Sequence, residues 1–222
     1  MIRAFIQARM SSARFPGKVM ALLAGRPVIE HVISRVSSAI PLEDILVVTS
    51  SEPSDDTLAG YVNSLGVLVY RGPLDNVARR FQLALQDYPC DWFIRISADS
   101  PLIDSEIIRE VKKYENDINL DLITNVLHRT FPKGHSVEMV SSRIFNGLDA
   151  EEMTPQQQEH VTKLFYDRPF EFQIINISSS DARLGKMNLC VDVAGDIAKL
   201  EQLLQEGKNI SYLPRQLPEA NT

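Results

Sequence analysis

Phe5-Ile6-Gln7-Ala8-Arg9-Met10-Ser11-Ser12-Ala13-Arg14-Phe15-Pro16-Gly17-Lys18 contradicts the composition of the chain around it. The 222 residues include 23 Lys+Arg and 29 Asp+Glu, yet the first 29 positions hold Arg3, Arg9, Arg14, Lys18 and Arg26 and no acid before Glu30. Five cations there leave 18 against 29 acids elsewhere, a +5 terminus on a −11 body. Such asymmetry points to a specific anionic ligand rather than to nucleic acid, which needs a broadly basic surface. Ile2 to Ile6 is a short apolar run that predicts a buried strand. It empties into a loop of small residues closed by Pro16-Gly17, where proline fixes one dihedral and glycine permits another. This arrangement places backbone N–H groups and fixed charge at the carboxyl edge of a sheet, where α/β proteins bind phosphates. The stretch lacks the first glycine and the Ser/Thr of a Walker loop, and no G-x-G-x-x-G follows. From residue types alone, a surface loop with scattered cations is the competing reading.

Outward from the loop, helical and strand patterns alternate. Val28, Ile29, Val32, Ile33 and Val36 recur at helical spacing, and Ile45 to Thr49 reads as a buried strand. Ser54 is a candidate cap for a helix ending at Gly66, Val67 to Tyr70 a strand, and Asp75 a candidate cap for a helix carrying Val77, Phe81, Ala84 and Leu85. Trp92 to Ile96 and Leu120 to Val126 are further strands, with a helix over Ser105 to Tyr114 capped by Asp104 between them. Thr154-Pro155-Gln156-Gln157 reads as a capping box starting a helix through Tyr166. Glu171 to Ile177 and Leu189 to Val193 read as strands, the latter preceding a helix with Ile197, Leu200, Leu203 and Leu204. The alternation implies a parallel sheet covered on both faces.

Length and a 44% hydrophobic content predict one domain, with a polar tail from about Pro214. Cys90 and Cys190 form no disulfide framework or metal spacing and read as small hydrophobes. No apolar run is long enough for a membrane span and no export signal is evident, so a cytoplasmic enzyme without nucleic-acid or membrane partners is expected.

Two carboxylates stand out. Asp99 falls just past the Trp92–Ile96 run, at the sheet edge expected for the cationic loop. There a carboxylate is useful if a hard cation such as Mg2+ lies between it and a phosphate; a loop or helix-capping aspartate is the alternative. Asp192 sits in an otherwise apolar Leu189–Val193, where burial is costly unless a cation meets it.

The loop from Gln7 to Lys18 resembles the Q-A-R-x-x-S-x-R-L-P-G-K signature of cytidylyltransferases that activate acidic sugars, closest to the spore coat polysaccharide biosynthesis protein F type and related to acylneuraminate and 3-deoxy-manno-octulosonate cytidylyltransferases. The resemblance covers roughly residues 1 to 200. It implies a three-layer αβα Rossmann-like nucleotidyltransferase fold with a mostly parallel mixed sheet, in a domain spanning 1–213 with a small dimerisation arm over about 131–172.

The resemblance also implies roles. Gln7, Ala8, Arg9, Met10, Ser11, Arg14, Lys18, Arg71 and Ser97 would contact the nucleotide CTP, with Arg14, Lys18 and Asp99 catalytic. Asp99 and Asp192 would hold Mg2+, Asp99 matching the aspartate of T-G-D-C-P. Asn125, Arg129, Glu138 and His160 would face an acidic sugar, Arg129 being suited to a carboxylate. Lys133 and His135-Ser136 depart from R-T-Y-P-D-G-x-D-V-E and suggest a more cationic pocket. A homodimer is implied, with the arm leaning over the neighbouring sugar site. Other bases and neutral sugars on the same fold, or a catalytically silent nucleotide-binding module, remain alternatives.

Overall fold

In the computed structural model residues 1–205 are described; the expected domain end at 213 and the tail from 214 to 222 lie outside them. The chain begins with β1 (Ile2–Gln7), the short hairpin β2 (Leu22–Leu23) and β3 (Arg26–Pro27), and α1 (Val28–Val36). Then come β4 (Ile45–Ser50), α2 (Asp56–Ser64), β5 (Leu68–Gly72), α3 (Val77–Asp87), β6 (Trp92–Ser97) and α4 (Ser105–Lys112). The second half holds β7 (Leu122–Thr124), β8 (Glu138–Ser141), α5 (Ser142–Asn146), α6 (Pro155–Glu159), α7 (Lys163–Asp167), β9 (Ile174–Asn176) and α8 (Gly195–Gln205).

Seven strands form one sheet in the order β5-β4-β1-β6-β8-β7-β9. β5, β4, β1 and β6 are parallel, whereas β8 runs antiparallel to both β6 and β7. Successive strand side chains face opposite sides, and both sides are buried, which is why the strands read as near-continuous apolar runs. Ala4, Ile6, Val47, Ile94 and Ile96 pack with Ile29, Val32, Leu58, Ile107 and Val111, so α1, α2 and α4 cover one face. Phe5, Val48 and Phe93 pack with Val77, Phe81, Phe145 and Phe165, so α3, α5 and α7 cover the other. The fold is thus the expected three-layer α/β arrangement, with β1 central and the loop after it at the carboxyl edge of the parallel strands.

Local differences have local causes. The side chain of Asn76, not Asp75, caps α3 by accepting from the Arg79 N–H, and it also donates to the Ala150 carbonyl. Ser54 lies inside a 3-10 turn before α2, which has no side-chain cap. Asp104 and Thr154 cap as expected, the latter in a full capping box. The helix expected to run through Tyr166 breaks into α6 and α7 at His160, whose φ of −103° and ψ of 42° leave the helical region. Val161 and Thr162 turn inward there and are buried.

Leu189 to Val193 is not a strand. Its buried Leu189 and Val191 pack with Leu23 and Leu200, and its amides pair one by one, Leu189 N–H with the Lys133 carbonyl and Val191 N–H with that of Asp99. Gly134 makes this approach possible: its φ is +93°, and a Cβ there would stand 2.8 Å from the Leu189 carbonyl. Within the segment expected as an arm, Glu138–Ser141 supplies β8 to the middle of the sheet.

Candidate active site

The loop after β1 is pinned at Met10. The Met10 N–H donates to Asp55 at 2.7 Å, and the Met10 carbonyl accepts from Ser12 and Gly17. Gly17 adopts φ +73°, allowing the turn into Lys18. Asp55 also accepts from the Thr49 and Ser50 hydroxyls and the Ser50 N–H. Burial pushes the Asp55 carboxyl up, but bonds from Ser50, Met10 and Thr49 outweigh it and hold the group below the usual carboxylate range. A carboxyl with a depressed folded value contributes stability above its unfolded value and loses it as pH falls through the folded one. Asp55→Ala is therefore expected to lower stability by about 3 kcal/mol at neutral pH, because it strands several buried donors. Chemical denaturation should show that difference shrinking below about pH 4; a pH-independent difference contradicts this role.

Around the loop runs a cleft of about 340 Å³. Gln7, Ala8, Arg9, Arg14, Lys18, Ser97, Asp99, His160 and Asp192 all line it, so residues as far apart as β1, β6 and the segment before α8 converge. The Lys18 ammonium contacts Asp99 at 2.5 Å and Asp192 at 3.9 Å, and Arg14 contacts Asp192 at 2.9 Å. Cations and carboxylates thus alternate along the wall. Arg9 reaches across to Glu159 of α6 at 2.7 Å. No cluster of three or more His, Cys, Asp or Glu suited to a metal exists among the described residues. Two carboxylates beside a phosphate-sized cleft nevertheless match the oxygen donor set of Mg2+, which takes one or two carboxylates and completes its shell with phosphate and water.

A second cleft of about 260 Å³ adjoins the first and shares Arg95 and His160 with it. Arg129, Ser136, Glu138, Thr162, Lys163 and Tyr166 complete its polar lining. Arg129 is held by the Ser136 hydroxyl at 3.1–3.2 Å and has no carboxylate partner among the described residues. Glu138, by contrast, is engaged at both oxygens: it accepts from Arg95, Thr162 and Tyr166. Burial and then the Glu138 charge push the Tyr166 phenol well above its ordinary range, so it remains a donor.

Several expected residues lie elsewhere. Arg71, two strands from β1, bonds the Ser50 and Glu52 carbonyls and pairs with Asp56, and it lines neither cleft. The buried Asn125 spends its amide on the His135 carbonyl and the Val137 N–H and lines neither cleft. Met10 and Ser11 are likewise absent from the cleft lining. The cationic pocket inferred from Lys133 and His135 does not form: Lys133 is exposed outside both clefts, and His135 is buried. Burial and nearby Arg35 bring the His135 imidazole down to about 4, so it is neutral at pH 7. Both cysteines are free and half-buried; burial, then Asp99 and Asp192, pushes Cys190 up to about 12. Nothing in the sequence marks Arg95, Asp55, Thr162 or Tyr166 for this site.

A family model described as cytidylyltransferase matches residues 4–216. The chain belongs to the cytidylyltransferase family. As such it is a nucleotidyltransferase, with relatives in polysaccharide biosynthesis. It is 27% identical to spore coat polysaccharide biosynthesis protein SpsF of Bacillus subtilis over 90% of this chain and 85% of that one. It is 30% identical to a 3-deoxy-manno-octulosonate cytidylyltransferase of Bdellovibrio bacteriovorus over 54% of this chain and 48% of that one. A solved cytidylyltransferase from Leptospira borgpetersenii shares the fold with a TM-score of 0.83 at 24% identity, covering 93% of this chain and 94% of the other. Among the described residues of this cytidylyltransferase, no helix is long and apolar enough to cross a membrane.

Proposed function

We propose that the enzyme transfers CMP from CTP to the anomeric hydroxyl of a sugar acid and releases pyrophosphate. The observation that carries this reading is the convergence of Arg14, Lys18, Asp99 and Asp192 in one cleft that opens onto a second holding Arg129. The first cleft suits a triphosphate with its metal. In the second, an arginine without a carboxylate partner among the described residues suits an acceptor that brings its own acid group, in keeping with the octulosonate named for a relative.

In the reaction the acceptor oxygen attacks the α-phosphorus, the bond to the bridging oxygen breaks, pyrophosphate leaves with the electron pair, and the hydroxyl proton passes to water. Asp99 and Asp192 would hold Mg2+, which when bound neutralises charge on the phosphates. Arg14 and Lys18 stabilise the charge that develops on the leaving pyrophosphate. Pyrophosphate release from each of the four NTPs, with a panel of nonulosonic and octulosonic acids, tests the proposal. CTP is expected to be preferred and release to require both the acid and Mg2+; release from another NTP, or from CTP with neutral sugars alone, contradicts it.

The fully exposed Phe170 in the aromatic stretch before β9 supports pairing of two copies, and a cytoplasmic homodimer is part of this reading. Arg129 and His160 line clefts of their own chain, so we expect each site to be complete within one subunit. Light scattering should give a dimer, and mixing Asp99→Asn with His160→Ala subunits should restore no activity. A monomer contradicts the pairing; restored activity would show that the arm reaches across.

A further inference from the structure

Arg95, a side chain with no flagged role in the sequence, lies where the two clefts meet. Its Nε and Nη2 donate to Gln7 Oε1 at 3.1 and 2.9 Å, and its Nη1 donates to Glu138 at 2.5 Å. Glu138 is itself fixed by the Thr162 hydroxyl at 2.7 Å and the Tyr166 hydroxyl at 2.5 Å. The guanidinium is therefore locked at both ends. Its charge is neutralised by Glu138, which leaves phosphate charge to Arg14 and Lys18.

The consequence falls on Gln7. A guanidinium only donates, so the oxygen of the Gln7 amide must face Arg95 and the NH2 group must face away. Gln7 lines the nucleotide cleft, and its NH2 donates to no described residue. Resting on the transfer reaction proposed above, the chemistry locates the reacting phosphorus: it must lie where the nucleotide cleft joins the acceptor cleft, because the nucleophile arrives from one and pyrophosphate leaves in the other. We infer that Arg95 is a positioning residue that orients the Gln7 amide so that its NH2 donates to a nonbridging oxygen of the α-phosphoryl group. A neutral dipole fixed before reaction stabilises the charge on those oxygens as the new P–O bond forms and the old one breaks, without clamping the ground state.

Gln7→Glu tests this with a change of one atom. The carboxylate still accepts from Arg95, so the melting temperature should hold, but the group facing the phosphoryl oxygen no longer donates. A fall in kcat of about 10²-fold is expected, with KM for CTP moving far less and the preference for CTP over UTP unchanged. Arg95→Lys keeps a cation for Glu138 but puts its donors on one nitrogen, which cannot replace the planar fork that reaches Gln7 and Glu138 together, and should show the same split between kcat and KM. If Gln7→Glu instead raises KM or alters the CTP/UTP preference at unchanged kcat, Gln7 reads the base and the inference fails. Wild-type turnover with an unaffected Gln7→Glu variant also overturns it. A wild-type protein that releases no pyrophosphate from CTP overturns the proposed reaction, and the inference with it.

Discussion

Asp99→Asn and Asp192→Asn are each expected to lower kcat by about 10²-fold or more, the scale of one lost electrostatic stabiliser in a preorganised site. Asp99 and Asp192 are brought to one wall of the cleft from opposite ends of the sequence. The backbone links them too, since the Val191 N–H donates to the Asp99 carbonyl. The amide keeps the size of the carboxylate but removes the charge that a cation needs, so the fold should persist while turnover falls. Removing Mg2+ with a chelator should leave the two variants and the wild type equally inactive. Near-normal turnover of either variant at saturating Mg2+ would remove that residue from the proposed site.

Lys18→Ala should weaken CTP binding by about 10- to 100-fold, the range of one charge-assisted hydrogen bond, while leaving CMP binding nearly unchanged. Arg14→Ala should act in the same direction but less, because Arg14 is mostly exposed whereas Lys18 is largely enclosed beside Asp99. The contrast between nucleotides follows from the assignment of both cations to the outer phosphates, which CMP lacks. Calorimetry giving equal losses for CTP and CMP in Lys18→Ala would move that lysine to the nucleoside end.

Much of this site was legible in the sequence because its charges sit where little else explains them. A cationic loop after an apolar strand, and Asp99 just past another, declare themselves by position. Leu189–Val193 has the apolar pattern of a buried strand and is buried without being one, since burial by a neighbouring loop leaves the same pattern as burial in a sheet. β8 was missed because four residues entering antiparallel beside β6 carry no alternation long enough to read. Asn125 and His135 read as polar residues in a marked motif; that the Asn125 amide bonds backbone groups and that His135 is buried only tertiary structure reveals. Arg95 shows the converse. Inside an apolar strand it reads as incidental, and only the register that sets β6 against β1 and β8 brings it to Gln7 and Glu138.

The most direct measurement follows an oxygen atom. A sugar acid carrying a heavy-oxygen label in its anomeric hydroxyl should, after incubation with CTP and Mg2+, yield a CMP conjugate whose bridging oxygen retains the label, with unlabelled pyrophosphate, by mass spectrometry. Label found in pyrophosphate, or a conjugate carrying less label than the sugar acid recovered from the same incubation, would contradict attack of the acceptor hydroxyl on the α-phosphorus and with it the account of the two adjoining clefts.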